Sequence, residues 1–121
     1  MFFLLIGLLL GVFGFNNIIP LANKDFFFQF PYNASTEKER KFTTSSVYIR
    51  AYETLGGDAF SAYVKANNAR TGPSKAVYLN QDVYLQNYAV ETYGSGVRVE
   101  VQGESSTDGV RYASGRWRPD L

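Results

Sequence analysis

Alternation of apolar and polar residues at period two constrains this chain more than any other feature. Val97, Val99 and Val101 interleave with Arg98, Glu100 and Gln102, and Phe26, Phe28 and Phe30 share one side of a second run. Successive side chains of a strand point to opposite faces, so such runs are strands with one buried face. Val47, Ile49 and Ala51 against Tyr48, Arg50 and Tyr52 make a third. Phe60, Ala62, Val64 and Ala66 make a fourth. Leu55-Gly56-Gly57-Asp58 separates these last two as a turn, and the spacing predicts a hairpin between Thr43–Glu53 and Ala59–Ala66.

The remaining segments extend the pattern. Pro31 ends the first strand or confines it to an edge. Asn33 to Lys41, centred on Glu37-Lys38-Glu39-Arg40-Lys41, reads as a solvated loop. Ala76 to Leu79 is a short strand. Asp82 to Tyr93 is ambiguous, since Tyr84, Tyr88 and Glu91 fall along one side of a helix, but its Tyr and Val content favours a strand with a bulge near Asn87. Gly94-Ser95-Gly96 is a turn. Val110 to Trp117 closes the fold, with Gly115 letting another backbone approach. No helix is expected after the N-terminal segment. The fold class is therefore all-β: a small antiparallel β-sandwich of about six to eight strands.

The N-terminus has a different character. Phe2 to Phe15 is wholly apolar or Gly, and no charge appears before Lys24. A membrane-spanning helix needs about 20 apolar residues, whereas a signal-peptide core needs ~7–15 followed by small residues. Asn16 and Asn17 break the run, and Pro20-Leu21-Ala22 suits a cleavage site after Ala22. The organisation expected is a signal peptide at 1–22, a single β-sandwich domain at 23–121, and a secreted product with no membrane span after cleavage. The run lacks the Lys or Arg that usually opens a signal, and a retained anchor through residues 2–19 is the alternative.

Small exported domains commonly rely on disulfides, but this chain has no Cys. Aromatic burial takes over that role: 9 Tyr and 10 Phe are present, and each buried ring removes about 150–250 Å² from water. Lys and Arg total 12 and Asp and Glu 11, which argues against nucleic acid as a partner. His is absent as well. The usual general base, the thiolate nucleophile and the commonest metal ligands are thus missing. No catalytic residue, cofactor or metal site is expected. Glu91, Glu100 and Glu104 are the carboxylates from which a glycosidase pair would be drawn. Glu100 faces away from the valines, where pairing with Arg98 or another cation is its simpler role.

Contact chemistry remains. Tyr48 and Tyr52 flank Arg50 on one strand face. Tyr has an apolar body and a polar tip, suited to a sugar ring or a lipid headgroup layer. Trp117 lies between Arg116 and Arg118 and either inserts into an envelope surface or plugs one end of the sandwich with both arginines outside. Tyr48, Arg50, Tyr52, Arg116, Trp117 and Arg118 are the candidate binding residues.

Thr44-Ser45-Ser46-Val47-Tyr48-Ile49, Asn87-Tyr88-Ala89-Val90-Glu91, Gly96-Val97-Arg98-Val99 and the terminal Ala113-Ser114-Gly115-Arg116-Trp117-Arg118-Pro119-Asp120 resemble a group of small exported proteins of Gram-positive bacteria, a domain of unknown function. The likeness covers about residues 25 to 121. The group is similar in size and style to the lactococcin-like β-sandwich bacteriocins. The resemblance implies a non-enzymatic secreted protein acting on a cell-envelope component. An assembly subunit pairing through strand edges and a carbohydrate-binding module are the alternatives.

Overall fold

Each alternating run must set its apolar side against another layer, and two sheets satisfy all of them. The computed structural model describes residues 23–121; the segment read as a signal, 1–22, lies outside the described residues. In chain order the elements are β1 (Lys24–Gln29), β2 (Glu39–Lys41), β3 (Val47–Leu55), β4 (Ala59–Ala66), β5 (Ala69–Arg70), β6 (Lys75–Tyr78), β7 (Val83–Leu85), α1 (Ala89–Tyr93), β8 (Val97–Glu104) and β9 (Tyr112–Arg118). One sheet runs β1-β9-β3-β7; the other runs β2-β8-β4-β5, with β6 also on β4. All these strand pairs are antiparallel.

The core lies between the layers. Phe26, Phe28, Val47, Ile49, Ala51, Leu85 and Trp117 come from the first sheet; Phe60, Ala62, Val64, Val77, Val99 and Val101 come from the second. Phe28, Phe30 and Phe60 meet ring to ring, with centroids 5.4 to 5.9 Å apart. Aromatic pairs at this distance add to the burial of their area. Gly103 lies beneath Phe28, where a Cβ would come within 2.9 Å of the ring. Gly115 lies against the Arg50 carbonyl, which a Cβ would overlap, as the close approach expected at that position requires.

Several expectations are corrected. The hairpin between the third and fourth runs does not form: β3 and β4 belong to opposite sheets and face each other across the core. Leu55-Gly56-Gly57-Asp58 carries the chain from one layer to the other. Gly56 adopts φ +96° there, and Arg111 N–H donates to the Leu55 carbonyl at 2.7 Å. The segment read as a loop through Lys41 ends in β2, paired with β8. The strand expected over Asp82 to Tyr93 stops at Leu85 and gives way to α1, a helix of five residues. Asn87 makes that switch. Its Nδ2 donates to the Leu85 carbonyl at 3.1 Å and its Oδ1 accepts from Ala89 N–H at 3.2 Å. Such local bonds offer the backbone an alternative to the ladder. Among the described residues there are nine strands; the two that were not expected, β2 and β5, have three and two residues.

Candidate functional site

The outer face of the β1-β9-β3-β7 sheet gathers five of the six candidate residues. Its register sets Tyr48 beside Arg118 and Arg50 beside Arg116 across β3 and β9. Tyr84 stands beside Tyr48 on β7, and Asp25 beside Arg116 on β1. Tyr52 sits at a register shift between Ala51 and Glu53 and is exposed. The sixth residue departs. Trp117 lies opposite Ile49 on the inward side and is 1% exposed. Alternation dictates this, because Arg116 and Arg118 point outward and the residue between them points in. Trp117 is a core residue.

Charges and rings on this face are interlocked. Tyr48 Oη donates to Asp82 Oδ1 at 2.7 Å, and Arg50 Nη1 donates to the same oxygen at 2.9 Å. The Arg118 guanidinium lies 4.8 Å from the centre of the Tyr48 ring, and that of Arg50 lies 5.4 Å from the Tyr52 ring. These are cation–π distances. Burial, then the bond to Asp82, pushes the Tyr48 phenol up to about 12. The hydrogen bond from Arg50, followed by that from Tyr48, holds the Asp82 carboxyl below its ordinary value. Arg116 pairs with Asp25 at 3.5 Å. The Nε–H groups of Arg50 and Arg118 meet no acceptor among the described residues, so both guanidiniums keep unused donors.

Sequence reasoning missed the residues that enlarge the face. Phe27, 61% exposed, stacks on Tyr112 with centroids 6.0 Å apart. Together with Leu55 and Leu79 they line a shallow depression of about 410 Å³. The signal was present: Phe27 sits between two core phenylalanines, so alternation turns it outward. Asp82 was not among the candidates, because the partners that mark it out, Tyr48 and Arg50, lie 34 and 32 positions away.

The carboxylates take other places. Lys38 pairs with Glu100 at 3.9 Å, while Glu91 sits on α1 and Glu104 at the end of β8. Four residues along a strand separate Glu100 from Glu104 by about 13 Å, beyond the about 5–9.5 Å of glycosidase pairs. Among the described residues no group of three His, Cys, Asp or Glu side chains is placed to hold a metal ion, and no helix is long and apolar enough to cross a membrane.

Away from this face lies a buried ion pair. Lys41 Nζ donates to Asp120 Oδ1 at 3.1 Å and to the Pro119 carbonyl at 2.7 Å, with the two side chains 0% and 2% exposed. Asp120 also accepts from Phe42 N–H at 2.9 Å, Thr43 N–H at 3.1 Å and Thr43 Oγ1 at 2.7 Å. Burial works to raise the Asp120 carboxyl, but these bonds outweigh it and hold it low. The pair clips the end of the chain onto β2.

Two packed antiparallel sheets with an aromatic and arginine-rich outer face define a small, cysteine-free β-sandwich. The chain belongs to the family described as "Protein of unknown function (DUF2712)", whose model matches residues 17–121. Neither the curated proteins nor the solved structures gave a match.

Proposed function

We propose that this chain is an exported, non-enzymatic β-sandwich that acts by contact at a bacterial cell envelope. The outer face of the β1-β9-β3-β7 sheet is its contact surface. One observation carries this reading: exposed Phe27, Tyr52, Tyr84 and Tyr112 share a face with Arg50, Arg116 and Arg118. Rings with polar tips beside guanidiniums suit sugars and headgroup layers. The apolar run Phe2–Phe15 before Pro20-Leu21-Ala22 supports export. The likeness to exported Gram-positive proteins supports a bacteriocin-like or bacteriocin-associated role, and the separation of Glu100 from Glu104 favours contact over hydrolysis.

Two measurements test this. A chain beginning near Asn23, recovered from culture fluid, is expected; protein found only in cells with Met1 intact opposes export. The exported chain should bind purified cell envelopes or inhibit related cells, and Tyr52→Ser with Arg116→Ser should weaken that effect. Equal activity in the double variant removes the face from the mechanism.

A second reading has one observation behind it. Among the described residues β1 pairs with β9 alone and has no strand on its other edge, which favours an assembly subunit joined through that edge. Sedimentation at rising concentration decides it, a strict monomer excluding assembly.

A further inference from the structure

We propose a second binding site, separate from the outer face, that takes the phosphodiester backbone of an anionic polymer. It is a groove of about 390 Å³ at the edge where β1 of one sheet adjoins β2 and β8 of the other. Lys24, Lys38, Arg40 and Arg98 line it, with Glu39 as the single carboxylate. The whole chain carries a net charge of only +1, so this concentration is local.

The register makes the cluster costly. Arg40 stands directly opposite Arg98 across β2 and β8, and like charges directly opposite destabilise a sheet. The outer face holds the same arrangement in Arg50 and Arg116, but there Asp82 and Asp25 each neutralise one arginine. In the groove no carboxylate does so. Arg40 Nη1 donates to the Gly96 carbonyl at 2.9 Å. Glu39 pairs with Lys24 at 3.8 Å and Lys38 reaches Glu100 at 3.9 Å. Among the described residues Arg40 and Arg98 enter no ion pair. An anion held between them supplies the missing charge.

The groove is also built to stay open. Phe42 and Pro119 form its walls, and both are fixed by the buried clip, Phe42 through its N–H on Asp120 and Pro119 through its carbonyl on Lys41. A preformed site avoids the ordering cost of binding. Guanidiniums hold phosphate oxygens with two parallel bonds, which a lysine cannot do. Several cations along one edge suit a chain of repeated charges rather than a lone ion. A membrane fits less well, since among the described residues Phe42 is the one large apolar side chain exposed in the groove and a lipid surface needs more apolar area.

None of these residues belongs to the outer face, so either site can fail without the other. The exported chain is titrated with poly(glycerol phosphate) at low salt. Binding that weakens steeply as salt rises is expected, because neutralised phosphates release counterions. Arg40→Gln with Arg98→Gln should lower affinity about tenfold or more while the melting temperature holds or rises, since the repulsion is gone. Lys75→Gln, on β6 at the far side of the same sheet, should bind as the parent does. Four results overturn the proposal: undiminished binding by the double variant, a lowered melting temperature in it, equal binding of neutral dextran, or binding of phosphatidylglycerol vesicles without the polymer.

Discussion

Lys41 shows how far a single residue can escape a sequence pattern. It ends a run of five charged residues, Glu37 to Lys41, which reads as solvated, yet it is fully buried. Its partner lies 79 positions away, and no local window contains both. By contrast, residues whose direction is set by strand alternation were legible: Phe26 and Phe28 inward, Arg50 and Arg116 outward. Removing one member of a buried pair strands the other, so Asp120→Asn should destabilise by about 3 kcal/mol or more, measured by urea unfolding. Adding Lys41→Met should recover much of that loss, because the stranded charge goes while the one remaining carboxamide oxygen still accepts from Thr43. The pair also sets an acid limit. The folded Asp120 carboxyl sits below the ordinary value of about 3.9, so its contribution is complete above that pH and is lost as pH falls through the folded value. The fall in urea midpoint between neutral pH and pH about 3 should shrink in Asp120→Asn. Tyr48 gives the mirror case. Its phenol is pushed up to about 12 from an ordinary value of about 10, so its contribution is present below the ordinary value and lost as pH climbs to the folded one. Ultraviolet titration should show a late-ionising component that disappears in Tyr48→Phe.

At the level of elements, the sequence located strands better than it paired them. Ala59–Ala66 and Val97 to Gln102 stand where the alternation puts them, yet the expected hairpin became a crossing between layers. Period two reports which side of a strand is buried. It says nothing about whether two such strands lie side by side or face to face. In the structure β9 and β7 occupy both edges of β3, and β8 and β6 those of β4, leaving no edge for a hairpin. The helical alternative over Asp82 to Tyr93 was passed over for a related reason: the five residues of α1 carry too little periodicity to outweigh the Tyr and Val content, and Asn87 decides the local path through bonds reaching two residues. Asn87→Ala should therefore cost about 1 kcal/mol and speed hydrogen exchange at Ala89. Gly115 was legible as a close approach, and Gly115→Ala sets its Cβ on the Arg50 carbonyl. Backbone cannot yield as a flexible side chain does, so the expected loss is about 3 kcal/mol, with exchange protection falling first across β3 and β9.

For the molecule as a whole, topology makes the end of the chain indispensable. β9, the last strand, lies between β1, the first described strand, and β3, pairing with both. Its removal would leave β1 with no partner and expose the faces of Phe26, Phe28 and Ile49 that Trp117 and Ala113 complete. The five-stranded sheet would then be covered by β3 and β7 alone, with the rest of its apolar face in water, which a domain this small and without disulfides cannot sustain. A chain ending before Tyr112 should therefore remain unfolded, with collapsed amide dispersion in nuclear magnetic resonance spectra and no protected amides in β4 or β8. One ending at Arg118 retains every strand and loses only Pro119, Asp120 and Leu121. It should fold with the reduced stability of the Asp120 variant, because Lys41 keeps its burial and loses its acceptors. The order of these two results matters for the proposed export. A sheet that closes only once β9 arrives leaves the strands before it unfolded, the state in which a polypeptide can be threaded across a membrane. Native-like protection in the shorter chain would break that link and show that the second sheet holds its shape without the first.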